Sequence, residues 1–242
     1  MPTSKAGWAP CESYNASSLA NSARFTPRRL ARLHQATPVG ETVDLVQPAT
    51  YSDQRWADVL EGSGFSPDGE RLWTLADSVS TNMTMLICGL NPSPASADSG
   101  VPFARPGNRF WPAMLAAGLA QVDRDPSALL AKQHIGMTDI VKRTTRRASE
   151  LDPNEYEQGM SRLDRTVAWL QPKSICFVGL AGWRAAVDKH ATAGWQERLI
   201  GRRPVYLMPS TSGLNASSQL PDLTDHIRAA HARIEKLGTV GE

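Results

Sequence analysis

The chain has 242 residues, of which 41% are apolar and 21% are charged, and its formal net charge is +2. This composition is typical of a globular protein whose core is large enough to be stable without disulfides, so it excludes the fibrous and disulfide-scaffold classes. So small a charge does not require a nucleic-acid partner, but it permits one if the basic residues gather on one face.

No apolar run approaches the roughly 20 residues that span a bilayer, and the first residues lack the apolar segment of a secretory signal. The three cysteines, Cys11, Cys88 and Cys176, form no CxxC pair, and the last two lie in apolar runs typical of buried thiols. We therefore expect a cytoplasmic protein, nucleoid-associated if bacterial, with no membrane partner, no metal and no cofactor.

The first 50 residues differ from the rest of the chain. They are rich in Ser, Ala and Pro, show no sustained apolar period, and set several arginines against few acids. We predict a disordered basic arm over residues 1–50, serving either as a solvated tail or as a DNA phosphate contact. A partly ordered lead-in over 51–66 and one folded domain over 67–242 complete the predicted organisation.

Helices and buried strands alternate along the folded domain. Helices are predicted at residues 66–80, 108–119, 126–134, 181–190 and 221–237 and from Asp152 onward, and strands at 84–90, 137–141, 174–180 and 204–208. This alternation predicts an α/β fold, a three-layer α/β/α sandwich around a short, mainly parallel central sheet. Because ligands bind at the carboxyl ends of such strands, the loops after the first and last strands are candidates for the site.

Four segments resemble, in order and approximate spacing, the signature motifs of the mismatch-specific uracil/thymine DNA glycosylases, a branch of the uracil-DNA glycosylase superfamily. They are GLNP at 89–92, PFARPGNRFW at 102–111, GMTDIVKRTT at 136–145 and MPSTSGLNA at 208–216. The resemblance implies a uracil-DNA glycosylase-like fold and a monofunctional DNA N-glycosylase. Such an enzyme flips uracil, or thymine or a damaged pyrimidine, from a mismatch with guanine and hydrolyses the N-glycosidic bond, which leaves an abasic site.

The resemblance also implies a monomer that acts on double-stranded DNA with G·U or related mismatches; activity on single-stranded DNA is left open. Two other functions remain as alternatives: a non-catalytic protein that binds mismatched or damaged DNA, and a small-molecule enzyme that holds phosphate in its Pro/Ser/Gly loop. The second alternative is disfavoured because the loop has neither GxxxxGK[ST] nor GxGxxG.

The catalytic candidates are Asn91 and Asp139. A neutral amide is a poor base, but its carbonyl oxygen can orient a water, which suffices for a dissociative transition state. The resemblance places the catalytic asparagine at Asn91, where the alternative role is to start an Asn-Pro turn. Asp139, where relatives carry other polar residues, either shares the water as a general base or is a structural carboxylate bonded to loop amides.

The resemblance implies a base pocket lined by Gly89, Leu90, Ser96, Gly100, Phe103 and Asn108. Phe103 lies between two prolines that stiffen its loop, so its ring can stack on an extruded base; the alternative is a core anchor. Ser96 and Gly100 would supply hydroxyl and backbone groups to the edge of a pyrimidine. Asn108 could instead cap the following helix, and Arg109 could bind a backbone carbonyl.

The last loop holds an unpartnered Leu214 after Gly213, and the resemblance implies that this leucine wedges into the base stack. Main-chain groups of Gly213 and Asn215 would then face the orphaned guanine, while Ala216 replaces the arginine of some relatives. The alternative is a leucine folded onto the body. The phosphate contacts are expected at Ser210, Ser212, Lys142 and Arg143. A second basic cluster, Arg198, Arg202 and Arg203, is a weaker candidate.

Overall fold

The computed structural model describes residues 64–65, 71–72, 74–81 and 83–238. The predicted arm over residues 1–50 and nearly all of the lead-in over 51–66 lie outside this part of the chain. The folded domain predicted from residue 67 onward lies within it, except for residues 67–70, 73, 82 and 239–242.

The larger sheet has five strands in the order β4-β3-β5-β7-β6. The strands of the described residues are β1 (Gly64–Phe65), β2 (Arg71–Leu72), β3 (Met85–Gly89), β4 (Ile135–Asp139), β5 (Ser174–Val178), β6 (Gly194–Ile200) and β7 (Arg203–Met208). Strands β4, β3, β5 and β7 run parallel, whereas β6 pairs antiparallel with β7 at one edge. Strands β1 and β2 form a separate antiparallel pair.

Helices cover both faces of the larger sheet. Those of the described residues are α1 (Pro94–Ser99), α2 (Phe110–Ala116), α3 (Pro126–Gln133), α4 (Pro153–Leu170), α5 (Ala181–Ala186) and α6 (Leu220–Gly238), with a 3₁₀ turn at Ala148–Glu150. Strands β3, β4 and β5 are buried along their whole length, as expected for parallel strands between two helical layers.

Alternate strand residues enter two separate hydrophobic clusters, one on each face of the sheet. Leu86 and Phe177 belong to the cluster that contains Leu163 of α4 and Trp183 of α5. Their strand neighbours belong to the second cluster, which contains residues of α2, α3 and α6: Ile87, Val178, Phe110, Met114, Leu129, Leu223 and Ile227. The predicted three-layer α/β/α sandwich with a mainly parallel sheet is therefore confirmed.

The helix predicted over residues 66–80 is wrong for the part that the structure describes. Residues 71–72 form β2, and residues 74–80 are extended, with Ser78 exchanging two backbone hydrogen bonds with Met137 of β4. Burial alternates along this segment, since Leu75, Asp77 and Val79 are buried while the residues between them are half-buried. An inward period of two is the pattern of a strand, and one isolated antiparallel bridge joins the segment to β4.

Both described cysteines are buried free thiols, as predicted. Burial raises the pKa of the Cys176 thiol to about 12 and that of Cys88 well above its ordinary value, so neither is a ready nucleophile. Within the described residues, no helix is long and apolar enough to cross a membrane.

Candidate active site

The candidate site lies where the parallel strands end. The segments that follow β3 and β4 stay paired, because Val141 donates a backbone hydrogen bond to Leu90 (2.9 Å) and Thr145 donates one to Pro92 (3.2 Å). The loop after β7 is held to the loop after β5 by a bond from the Gly179 amide to the Met208 carbonyl (2.9 Å). The three predicted site segments that follow strands therefore emerge at the same end of the sheet, where its parallel strands have their carboxyl ends.

Asn91 is fixed by its amide nitrogen. Nδ2 donates to the carbonyl oxygen of Arg143 (2.9 Å) and to Oγ1 of Thr145 (2.8 Å). Because a backbone carbonyl can only accept a hydrogen bond, this contact determines which end of the amide is the nitrogen. Oδ1 points away from these partners, and no described residue donates to it. The half-buried side chain thus presents a positioned acceptor that a water could use.

Asp139 is the last residue of β4, lies opposite Gly89 of β3 and is only 7% exposed. Burial raises the pKa of its carboxyl to about 6, against the opposing effects of Lys142 and Arg162 and with an added contribution from Asp77. No described residue donates a hydrogen bond to the carboxylate oxygens, so a structural bond to loop amides is not what holds Asp139 within the described chain. A buried carboxyl that titrates near neutrality suits a general base.

Gly89 brings Asp139 and Phe103 together. A Cβ atom on Gly89 would lie 2.2 Å from Oδ1 of Asp139 and 3.3 Å from Cζ of Phe103. Both distances are shorter than ordinary contacts, so any larger residue would displace the carboxyl from its position. The glycine therefore allows the carboxylate and the aromatic ring to border the same point at the end of β3.

Phe103 has a positive φ of 56°, which is strained for a residue with a side chain. Its ring stacks on Phe110 of α2 with centroids 4.2 Å apart, and Nε1 of Trp111 donates to the Pro102 carbonyl at 2.8 Å. These contacts hold the strained loop against the second hydrophobic cluster. The ring is only half-buried, so it serves as an anchor and still has surface that an extruded base could stack on.

The polar residues of the predicted pocket support its loop. Ser93 caps α1 by accepting from the Ser96 amide (3.2 Å), and Oγ of the buried Ser96 accepts from the Ala104 amide (3.2 Å). Gly100 ends α1 with a left-handed φ of 67°. Oδ1 of Asn108 accepts from the Phe110 amide (2.9 Å), but the N-cap residue of α2 is Arg109, so the N-cap role considered for Asn108 is wrong.

The Leu90 side chain belongs to the opposite face of the sheet from Phe103. It packs with the cluster of α4 and α5, where a Cβ on Gly182 would lie 2.8 Å from Leu90 Cδ1. The predicted pocket role of Leu90 is therefore not supported for its side chain, which stabilises the start of the loop instead.

Leu214 is 81% exposed, the highest value among the exposed large hydrophobic side chains of the described residues. The alternative in which it folds onto the body is therefore wrong. The loop around it is nonetheless ordered: its neighbour Asn215 donates from Nδ2 to the Ser210 carbonyl (2.8 Å) and from its amide to the Ser212 carbonyl (2.9 Å). An exposed leucine on a braced loop fits the role of a wedge.

Both main-chain groups of Asn215 already bond within the protein, and in its side chain one Nδ2 hydrogen is unused by the described residues. Its Oδ1 accepts from the amide and the hydroxyl of Ser217 (3.1 and 2.6 Å), and its carbonyl accepts from Arg109 (2.6 Å). The predicted main-chain contact of Asn215 with the orphaned guanine is therefore not supported, because its amide and its carbonyl already have partners. Main-chain groups of Gly213 remain candidates for that contact.

Lys142 is not a phosphate contact. It is buried beneath the site, where Nζ donates to the Leu75 carbonyl and pairs with Oδ1 of Asp77 at 2.7 Å. Asp77 also pairs with Nη1 of Arg162 at 3.3 Å, and Arg162 donates to the carbonyl of Asp139. Sequence reasoning missed Asp77 because the segment that contains it was assigned to a helix.

Arg143 is likewise committed to other partners. Its guanidinium forms two bonds to the Glu155 carboxylate (2.8 and 2.7 Å) and one to the Glu150 carbonyl (2.8 Å). The hydrogen bond to Glu155 raises the pKa of Arg143, and the same bond lowers the pKa of Glu155. Since the pair is nearly neutral, Arg143 is a poor candidate for a phosphate contact.

Other basic side chains at this edge are exposed. Arg105, in the pocket loop, and Arg146 and Arg147, beyond β4, form no ion pair with any described residue. Ser210 and Ser212 accept bonds at Oγ from the amides of Ser212 and Leu214 (3.3 Å each), which leaves each hydroxyl hydrogen free to be donated.

The second basic cluster lies elsewhere in the fold. Arg198 is on β6, Arg202 is in the turn before β7, and Arg203 is the first residue of β7. Since β7 runs parallel to β3, it starts at the amino-terminal end of the parallel strands, whereas the site lies at their carboxyl ends. This cluster is therefore not part of the candidate site.

Among the residues that the structure describes, no three His, Cys, Asp or Glu side chains are grouped so that they could hold a metal ion. The side chains that border the site are an amide, a buried carboxyl, an aromatic ring and a protruding leucine. A family model described as the uracil DNA glycosylase superfamily matches residues 76–233, which is more than half of the chain and includes every residue of the site.

Proposed function

Because the chain belongs to the uracil DNA glycosylase superfamily, we propose that it removes uracil from mismatches with guanine in duplex DNA. In this proposal it acts as a monomer without metal or cofactor and hydrolyses the N-glycosidic bond to leave an abasic site. The observation that carries the proposal is the orientation of Asn91, whose amide nitrogen is bound on both sides while Oδ1 is left to accept from a water.

Bond cleavage proceeds with departure of the base and positive charge on the sugar, so a weak nucleophile is sufficient. Asn91 places the water by accepting a hydrogen bond from it. The water is then already ordered before it attacks, which lowers the entropy cost of the reaction step. Asp139 takes up the proton as the water adds, and its negative charge stabilises the sugar cation. Burial of Asp139 supports this role because a pKa of about 6 leaves the carboxyl ionised but basic near neutral pH.

The base must leave the stack before it reaches Asn91. The half-buried ring of Phe103, supported from behind by Phe110, offers a surface on which a flipped pyrimidine stacks. Leu214 enters the space that the base vacates and so offsets part of the cost of flipping. Phosphates of the same strand are held by the hydroxyls of Ser210 and Ser212 and by the exposed guanidinium groups of Arg105 and Arg146.

Five oligonucleotide substrates of one sequence test the proposal: a G·U duplex, an A·U duplex, a G·T duplex, a G·C duplex and a uracil-containing single strand. Alkali cleaves the strand wherever a base has been removed, so strand breaks count excised bases. We expect breaks at uracil opposite guanine, fewer at uracil opposite adenine, and none in the G·C control. Binding of the G·U duplex without breaks would instead establish the alternative, a non-catalytic mismatch-binding protein.

A further inference from the structure

Arg109 connects two loops that the proposed mechanism uses for different steps. It lies immediately before α2, next to Phe110, which supports the Phe103 ring. Its guanidinium reaches the loop that carries Leu214, where Nη2 donates to the carbonyls of Ser212 (3.0 Å) and Asn215 (2.6 Å). Nη1 donates to the carbonyl of Ser218, and the Arg109 amide donates to the carbonyl of Thr211 (2.9 Å).

These bonds enclose Leu214. Ser212 and Asn215 lie two residues before it and one residue after it, and their own backbone bond closes the turn between them (2.9 Å). No described carboxylate pairs with Arg109, so its charge is directed entirely at backbone carbonyls. Charge-assisted bonds to a planar, forked cation fix both distance and direction, which a single neutral bond does not.

The two loops also touch directly at a pair of glycines. A Cβ atom on Gly213 would lie 2.8 Å from the carbonyl oxygen of Gly107, so the backbones approach more closely than any side chain at this position allows. Gly107 lies in the pocket loop, two residues before Arg109. The residue before Leu214 is therefore packed against the segment that carries the stacking aromatic.

We propose that Arg109 is a positioning residue that joins the base pocket to the Leu214 loop, so that pocket and wedge hold one fixed separation. This inference rests on the proposed function and adds to it a structural condition for excision from duplex DNA. The flipped base lies in the pocket outside the helix, and the leucine fills the place that the base has left in the stack. Because the loop is already ordered in the free enzyme, no further entropy is lost in ordering it when DNA binds.

A double-mutant cycle on the G·U duplex tests the coupling. Arg109→Lys keeps the charge but loses the fork, and we expect single-turnover excision to fall about tenfold or more, the scale of one missing charge-assisted bond. If Arg109 acts through Leu214, the variant Arg109→Lys/Leu214→Ala is no slower than the slower single variant. Multiplication of the two defects would overturn the proposal.

Gly213→Ala serves as a second variant because it disturbs the same junction from the other loop. It is expected to slow duplex excision to a similar degree and to be non-additive with Arg109→Lys. The matched control is Arg228→Lys, since Arg228 also donates from Nη2 to a backbone carbonyl, that of Ala116 at the other end of α2 (2.7 Å). Its excision rate is expected to stay at the wild-type value.

Hydrogen exchange in the free protein supplies a reading that does not depend on activity. Arg109→Lys is expected to speed exchange at the amides of Leu214 and Asn215 and to leave the central strand β5 unchanged. Unchanged exchange in the loop would overturn the positioning role even if catalysis fell. If the wild-type protein cut no uracil substrate, the proposed function would fail, and the exchange data would still decide whether Arg109 orders the loop.

Discussion

Asn91 is held at its nitrogen and left open at its oxygen, and this asymmetry makes the side chain suitable for placing a water. We predict that Asn91→Ala lowers single-turnover excision of uracil by about 10²-fold or more, the scale of a positioned catalytic group. DNA affinity should change little, because the amide contacts protein groups and not phosphates. Rates and dissociation constants on one G·U duplex measure both effects.

Thr145→Val is the control for Asn91, since it removes one acceptor of Nδ2 and leaves Oδ1 in place. It is expected to cause a smaller loss than Asn91→Ala, because the Arg143 carbonyl still orients the amide. Equal rates for Asn91→Ala and the wild-type protein would remove Asn91 from the mechanism.

Asp139 predicts a pH dependence with a defined sign. Burial raises the pKa of its carboxyl from 3.8 to about 6, so the ionised base is lost as the pH falls through about 6. We expect excision to decline below that pH in the wild-type protein and the decline to disappear in Asp139→Asn, whose rate at neutral pH should be about 10²-fold lower, the lower end of the range for a general base. Rate profiles between about pH 5 and pH 9 compare the two proteins.

The same shift links Asp139 to stability. Because the folded protein binds the proton more tightly than the unfolded chain, the Asp139 contribution to the free energy of unfolding falls as the pH rises from about 4 to about 6. Asp139→Asn should therefore melt at a higher temperature than the wild-type protein at neutral pH. A lower melting temperature together with an unchanged rate profile would assign Asp139 a structural role.

At the residue scale, the sequence allowed Asn91 to be proposed as a catalytic candidate because a motif specifies a residue type at a place where a strand ends. It did not allow the phosphate contacts to be chosen. Lys142 and Arg143 belong to a run of basic residues, but Lys142 is paired with Asp77, 65 residues away in the chain, and Arg143 is paired with Glu155. Burial and long-range pairing decide which charges face solvent, and a linear pattern contains neither.

The loop after β7 acts as one element, and Leu214 is 81% exposed within it. We predict that Leu214→Ala slows excision from the G·U duplex by about tenfold or more while single-stranded uracil DNA is affected much less, because a single strand has no stack to fill. Rates on the two substrates, measured beside a melting curve, test this. Equal defects on both substrates would contradict the wedge.

At the element scale, segments that are strongly apolar or well capped were predictable from the sequence. Segments that bury a paired charge or are half-exposed were not. Strand β3 and helix α4 have the expected positions because a continuous apolar run and an Asp-Pro start with Glu155 in the first turn each specify one structure. Residues 74–80 bury Asp77 in an ion pair, which hides their strand period from any hydrophobicity pattern. Strand β6 was missed because it is a half-exposed edge strand.

For the whole molecule, the positions of the exposed arginines predict that DNA binds at the end of the sheet where the parallel strands have their carboxyl ends. We expect Arg146→Ala/Arg147→Ala to weaken binding of all duplexes alike. The salt dependence of the dissociation constant should fall by about one unit of slope for each phosphate that the variant no longer binds. Arg202→Ala is the control, because Arg202 is exposed at the opposite end of the strands, just before β7 begins. A reduced salt dependence in the control alone would place the DNA surface elsewhere.

The architecture of the whole molecule was more accessible from sequence than its interface. Alternating helices and buried strands predict two helical layers on a parallel sheet, and the two hydrophobic clusters show that arrangement. The contact of Arg109 with the Leu214 loop was foreseen only as one possible carbonyl bond. Its partners lie more than 100 residues away in the chain, so their identity depends on how two strand ends meet.

We propose above all that this site releases uracil from a G·U mismatch by means of Asn91. The measurement that tests it most directly is the amount of free uracil released in a single turnover from a G·U duplex by the wild-type protein and by Asn91→Ala. We expect one uracil per duplex for the wild-type protein, at a rate about 10²-fold or more above that of the variant. Tight binding of the duplex by both proteins, with no free uracil from either, would contradict it.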